Sequence, residues 1–320
     1  MRKIRYPIAN IQPIAKISSL ARLLSVREAD LLNIIDNIES FHRPGKLLKK
    51  KNGDPRPTHD AKSELKIIHA RINNRILKKV QFPYYLQGGI ADKSYPRSCK
   101  EHAQTHSGMK IIICEDIADF YPSTSYITVL KIWKHFFNFS NEVAEILTRL
   151  TTYQGALPQG WKTSSYIANL TFWHCEPELV KIIEEKGLSY SRYIDDITVG
   201  SRLHISNNGK EFVISSVYGM LFSNGYKPKR EKQEIVSSEK PMIVTSLNVN
   251  SQKPTIPKKF RNNVRAMVYQ LEKSFISIGN SIEYDKKWRS VNGSVCRVKS
   301  FHLSEGAKLQ ERMRQIKPIK

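Results

Sequence analysis

The sequence predicts an α+β fold in which many helices surround a small antiparallel sheet. Three observations carry this. Apolar residues recur at helical spacing through most of the 320-residue chain, as at Ile17, Leu20, Leu24, Leu31, Leu32 and Ile35. The strand-like runs are few and short: IIIC at 111–114 and the β-branched flanks of RYIDDITVG at 192–200. They come largely as hairpins rather than alternating one by one with helices, which disfavours a doubly wound sheet.

In chain order, residues 14–42 read as helix. RPGKLLKKKNGDPRP at 43–57 is basic and rich in breakers, a loop or a hairpin turning at Asn52-Gly53. An amphipathic helix spans 61–80, and 83–108 lacks periodicity and reads as irregular. IIIC then fits a fully buried strand, with Asp116 just beyond its end. Helices follow over 125–137 and 141–153, then the loop GALPQG at 155–160 and helix again over 162–186. After the RYIDD hairpin come a helix over 208–224, a strand at VTSLNV (244–249) and a helical tail over 257–320.

Lys and Arg number 52 against 29 Asp and Glu, a net charge of +23. Such an excess points to a polyanionic partner, most simply nucleic acid. A membrane surface is the competing partner, but no basic amphipathic helix stands out and no apolar run approaches the ~18 residues of a membrane span. Pro13 and Lys16 interrupt any apolar core of a signal peptide, so a cytoplasmic protein is expected. Cys99, Cys114, Cys175 and Cys296 form no CxxC pair and are expected as reduced thiols. The tail over 257–320 holds 15 Lys and Arg against 5 Asp and Glu, hence +10, with Tyr269, Phe275, Tyr284, Trp288 and Phe301 interspersed. That mixture suits RNA, through phosphate contacts and base stacking.

Asp195 and Asp196 have two readings. Asp is common in turns, so the pair fits a hairpin tip. It also fits a metal site. Asp116 lies 79 residues earlier (195−116) at the end of another strand. If the two strands are neighbours, three carboxylates converge, and like charges at close range are costly. Hard divalent cations remove that cost. Two such ions about 4 Å apart stabilise the attacking and leaving oxygens of a phosphoryl displacement. The plainer alternative is that Asp116 caps a turn.

The order DIADFYPS (116–123), LPQGWKTSSYIANL (157–170), YIDD (193–196) closely resembles the reverse transcriptase family, in its bacterial branch of retrons and group II intron enzymes. PRPTHDAKSELK (55–66), the segment from Gly88-Gly89 to His106, and GYKPKREKQ (225–233) extend the likeness over about 55–250. HAQTH (102–106) stands where retrons show N-A-x-x-H, with His102 in place of Asn; these two histidines read as structural rather than as metal ligands. VTSL (244–247) stands where they show V-T-G-L, with Ser246 in place of Gly. Lys162 and Ser165 occupy positions where prolines are usual.

The resemblance implies a right-hand polymerase: fingers 1–107, palm 108–250 with an antiparallel sheet, and a basic helical thumb 251–320. It implies RNA-directed DNA synthesis with two Mg²⁺ (Mn²⁺ as a substitute) on Asp116, Asp195, Asp196 and the carbonyl of Ile117. Tyr121 falls at the sugar-gate position, Gln159 and Gly160 in the loop that touches nucleotide and template, and Tyr193 near the primer end. Arg56 and Lys66 fall at triphosphate-binding positions, where the planar fork of Arg suits phosphate. Lys232 resembles a lysine that protonates departing pyrophosphate. Tyr121 and Tyr193 also read as ordinary core, Gln159 and Gly160 as a surface loop, and Arg56, Lys66 and Lys232 as solvated charge. Lys258, Lys259, Arg261 and Arg265 open the thumb as RNA contacts. The implied partners are a cognate noncoding RNA, dNTPs and a defence effector protein, the product being a branched RNA–DNA hybrid. Another bacterial reverse transcriptase, of defence or group II intron type, and an idle RNA-binding scaffold stay open as alternatives.

Overall fold

The computed structural model describes residues 4–49, 53, 55–92, 95–279 and 281–318. The N-terminal part comprises β1 (Ile8–Ala9), α1 (Ile17–Leu24) and α2 (Glu28–Asp36), then a single 3₁₀ turn at Ile38–Phe41. The one helix expected over 14–42 is thus two. Ser25 takes a left-handed conformation (φ 51°) and its N–H closes the last turn of α1, which stops the helix. Next come β2 (His42–Pro44), β3 (Leu48–Lys49), β4 (Pro55–Arg56) and β5 (His59–Ala61). β2 pairs with β5 and β3 with β4, both antiparallel, so 43–57 is a hairpin as the breakers allow. Asn52 of its expected turn lies outside the described residues. α3 (Ser63–Arg75) buries Leu65, Ile68 and Ile72, and β6 (Val80–Gln81) returns to pair with β1.

The stretch 83–108 is not irregular. It holds β7 (Leu86–Gln87) and α4 (Cys99–Thr105). A two-residue strand exists only through its parallel pairing with a later strand, and a seven-residue helix is too short to show periodicity. Its one local signal is Ser98, whose side chain accepts from the N–H of Glu101.

β8 (Ile111–Asp116) carries the expected buried run and includes Asp116 as its last residue. α5 (Phe120–Ser123), α6 (Tyr126–Lys131), a π turn at Ile132–Phe136, α7 (Asn141–Thr151), α8 (Ser164–Leu170) and α9 (Glu176–Glu185) follow. The helix expected over 162–186 breaks between α8 and α9, where Pro177 opens the new helix because it has no N–H to continue the old one. β9 (Ser189–Tyr193), β10 (Asp196–Ser201), α10 (Asn207–Ser223), β11 (Glu234–Ser237), β12 (Ile243–Val244) and β13 (Leu247–Asn248) complete this part. The strand expected at 244–249 is instead a tight hairpin. Thr245 (φ 46°) and Ser246 (φ 64°) both adopt the left-handed turn geometry that Gly adopts without strain. The main sheet runs β11-β8-β10-β9-β7, antiparallel except for β7 beside β9.

Consecutive residues of β8 face opposite sides of this sheet. Ile113 packs into one hydrophobic core, which extends from Ile14 to Tyr226, and Ile112 into another. That explains an apolar run with no polar alternation. The second core joins the sheet to α11 (Lys258–Ile278), α12 (Ile282–Phe301) and α13 (Leu303–Gln315) through Val264, Val268, Val295 and Met313. The four cysteines are free, and among the described residues no helix is long and apolar enough to cross a membrane.

Candidate catalytic site

Strand pairing brings the acids together. Asp196 lies directly opposite Asp116 in the β10–β8 ladder, and opposite Tyr193 in the β10–β9 ladder. Only Ile194 and Asp195 remain to make the turn, and the N–H of Ile117 donates to the carbonyl of Asp195 (3.0 Å). The turn reading and the acidic-cluster reading are therefore both right: the hairpin tip is what carries the carboxylates to the end of β8. Ile194 sits at φ 58°, which strains a β-branched residue by about 1–3 kcal/mol. Gly89 makes room for it, since a Cβ there would lie 2.9 Å from Ile194 Cδ1 and 2.5 Å from Ser165 Cβ.

The site is short of positive charge. Burial first, then the charge of Asp116, raises the carboxyl of Asp195 above its ordinary pKa. Asp196 is pushed up to about 7 by burial and by the charges of Asp195 and Asp116. Two cations answer them in part: Lys232 Nζ donates to Asp116 Oδ1 at 2.6 Å, and the charge of Arg56 also acts on Asp195. Burial works against the charge on Lys232, but the Asp116 hydrogen bond and the three carboxylates outweigh it and raise its pKa. Among the described residues no three acid, thiol or imidazole groups close into a ready ligand shell. Three carboxylates whose charge is only partly compensated nonetheless offer hard oxygen donors that fit divalent ions.

Around this centre, Arg56 Nε donates to Gln159 Oε1 (2.9 Å), which joins the β4 end of the hairpin to the LPQG loop. The N–H of His59 donates to the carbonyl of Gln159 (2.8 Å). Gly160 (φ 115°) lies so close to the same strand that a Cβ would stand 2.5 Å from the carbonyl oxygen of His59. The Tyr121 hydroxyl lies 3.4 Å from Ser165 Oγ, at a position where the motif usually has proline. Burial, and more weakly the charge of Asp195, raises the Tyr121 pKa. Lys66 is not at the acids. Its Nζ is held by Asp60 (2.8 Å), which also takes Arg43 (2.6 Å).

HAQTH turns inward, as a structural element should. Ser191 Oγ shares hydrogen bonds with His106 Nε2 (2.8 Å) and His102 Nδ1 (2.9 Å), which fastens α4 to β9.

Residues 48–261 match the family described as reverse transcriptase (RNA-dependent DNA polymerase). The chain belongs to the reverse transcriptase family. It is 32% identical over 318 residues to the retron Se72 reverse transcriptase of Salmonella heidelberg, covering 98% of this chain and 82% of that one. It is 27% identical to the retron Ec48 reverse transcriptase of Escherichia coli, covering 96% and 77%, and 25% identical to the retron Ec86 enzyme of the same organism, covering 73% and 70%. It is thus a bacterial reverse transcriptase of retron type, an RNA-directed DNA polymerase with the α+β right-hand fold that the sequence predicts. The family uses divalent metal ions.

In this reverse transcriptase the four basic residues expected as RNA contacts at the start of the C-terminal helices are not alike. Lys258 and Lys259 are exposed at the start of α11, but Arg261 and Arg265 converge on Glu305 at 2.6 and 2.7 Å. Tyr284 is core, its hydroxyl donating to the carbonyl of Ile316 (2.8 Å), and Trp288 Nε1 donates to the carbonyl of Met313 (3.1 Å). Phe275 and Phe301 pack against the second core, and Tyr269 stays half-exposed with Lys273 over its ring. The sequence reading also passed over Glu176, Asn169 and the arginine of RYIDD as working residues. No local signal marks them: Arg192 stands three residues before Asp195, and its partner Glu176 lies sixteen residues away.

Proposed function

We propose that the enzyme copies a cognate structured noncoding RNA into DNA as retrons do, giving a branched RNA–DNA product. Fingers 1–107, palm 108–250 and thumb 251–320 divide the work. Asp116, Asp195, Asp196 and the carbonyl of Ile117 would hold two Mg²⁺, with Mn²⁺ as a substitute. Bound there, the ions would stabilise charge on the attacking hydroxyl and the leaving pyrophosphate. The chain's own residues orient the substrates. Tyr121 lies under the dNTP sugar and excludes a 2′-hydroxyl. Arg56, Gln159 and Gly160 form the wall against nucleotide and template, and Tyr193 supports the primer end. Lys66 reaches the triphosphate once Asp60 releases it. Lys232 Nζ, beside Asp116, carries a proton to the leaving pyrophosphate. Lys258 and Lys259 open a helix that has no acid in its first turn, where the helix dipole disfavours cations. RNA phosphate compensates that arrangement, and Arg261 and Arg265 extend the same face. A defence effector protein and a cytoplasmic site of action complete the reading.

The observation that carries it is the register setting Asp196 across from Asp116, with Asp195 in the turn beside them. Primer extension on primed RNA tests it. Asp195→Asn should abolish dNTP incorporation with Mg²⁺ or Mn²⁺ while RNA binding persists; retained synthesis removes Asp195 from the site. The DNA that copurifies with the wild-type protein should be branched and joined to RNA. Unbranched DNA, or none, refutes the retron reading without touching the polymerase one.

A further inference from the structure

Arg192 is fully buried, yet it touches all three segments that carry the family likeness. Its Nε and Nη2 grip the two oxygens of Glu176 at 2.7 Å each. Nη2 also donates to the carbonyl of Asn169 (3.3 Å), in the segment 157–170, and Nη1 donates to the carbonyl of Ile194 (2.9 Å), in YIDD. The guanidinium stacks near the rings of Phe172 (5.4 Å) and Phe120 (5.9 Å), the latter in the segment 116–123. The chain is continued outward by Asn169, whose Nδ2 donates to the carbonyls of Gly88 (3.0 Å) and Ser165 (2.9 Å).

We infer that Arg192 is a positioning residue, fixing the carbonyl of Ile194 and through it the strained turn that presents Asp195. Two features separate this from a mere core ion pair. A buried pair is often replaceable by apolar side chains at little cost in stability, so stability alone gives no reason for the pair. And the donor to Ile194 comes from the one guanidinium nitrogen that Glu176 does not occupy. A left-handed β-branched residue persists only where its surroundings over-determine it. Here Arg192 holds its carbonyl, the carbonyl of Gln87 accepts from its N–H (3.3 Å), and Gly89 clears its side chain. Apolar replacements would restore packing around the turn but not that donor. The inference rests on Asp195 belonging to the catalytic site, but its exchange readout does not.

The test removes the polar cluster together: Arg192→Met with Glu176→Met and Tyr190→Phe, since Tyr190 also donates to Glu176 (2.8 Å). The expected result is a melting temperature close to wild type and unchanged RNA affinity. With them go a kcat lower by about 100-fold, as for reacting groups displaced by about 1 Å, and KM for dNTP held within a few-fold. Hydrogen exchange at the amides of Ile117 and Ile194, which reports the turn itself, should quicken. Normal kcat and normal exchange in a folded triple variant overturn the inference. If exchange quickens while kcat holds, the arginine positions the turn but the turn does not set the rate, which also overturns it. Should the triple variant not fold, Arg192→Lys decides. It keeps the charge but loses the fork, so full kcat per folded molecule refutes positioning, and reduced kcat with faster Ile117 exchange supports it.

Discussion

Mild acid should destabilise this enzyme, because three imidazoles are sealed inside it in neutral form. His69 shares a hydrogen bond with the carbonyl of Leu150 (2.7 Å), and His102 and His106 flank Ser191. Burial pulls His69 down to about 4 and His102 to about 3, and burial with the charge of His102 takes His106 well below the usual value. All three pKa values fall on folding, so the unfolded chain binds protons that the native one refuses. Their stability is present above about pH 6.5 and lost as the pH falls below it. The loss is about 1.4 kcal/mol per pH unit per ring, hence about 2 kcal/mol each at pH 5 for His69 and His102, with His106 adding in the same direction. Asp196, raised to about 7, works in the opposite sense: the native state takes its proton early, which offsets part of the loss. Its carboxyl reaches solvent, so the offset is smaller than the histidine effect. Against a total stability of roughly 5–15 kcal/mol the net effect is large. Urea unfolding followed by circular dichroism at pH 7 and pH 5, without divalent ions, measures it. His102→Asn, the residue retrons carry there, removes one ring and should remove about 2 kcal/mol of the difference. Equal stability at the two pH values, or an unchanged difference in His102→Asn, refutes the reasoning.

Lys232→Met should lower kcat by about 100-fold while moving the KM for dNTP little, as for a lost general acid; single-turnover incorporation with an unchanged rate would exclude Lys232 from proton transfer. Gly160→Ala puts a Cβ 2.5 Å from the His59 carbonyl at φ 115°. It should cost about 1–3 kcal/mol in urea unfolding and raise the KM for dNTP, and neither change would mean that the LPQG loop adapts freely. Lys258→Glu with Lys259→Glu should weaken RNA binding and flatten its salt dependence by about 2 in slope; binding over a salt series that matches wild type would place the RNA elsewhere.

How much of this was legible in the sequence depended on where each residue's partner lies. The convergence of Asp116 with the pair Asp195-Asp196 was readable because their strands announce themselves locally and end in acids that a shared ladder brings together. β7 and α4 were not, because a two-residue strand and a one-cap helix draw their stability from β9, far along the chain. Arg192 was hidden for the same reason. Among 52 cations nothing local marks it, and only Glu176, sixteen residues away, explains its burial. The segment 257–320 shows what such remote pairing does to a charge argument. Among the described residues all five of its acids are paired within it: Glu272 with Arg312, Glu283 with Lys287, Asp285 with Arg289, Glu311 with Arg314, and Glu305 with both Arg261 and Arg265. Pairing leaves the net +10 untouched but decides where it sits. The acids neutralise mostly arginines, so the unbalanced charge falls on residues such as Lys258 and Lys259 at the exposed head of α11. A lysine surface attracts phosphate without fixing its geometry. If this segment is the RNA-binding thumb proposed above, its selectivity for one RNA would come from shape and from exposed apolar groups such as Tyr269 rather than from Arg261 and Arg265, which Glu305 already holds.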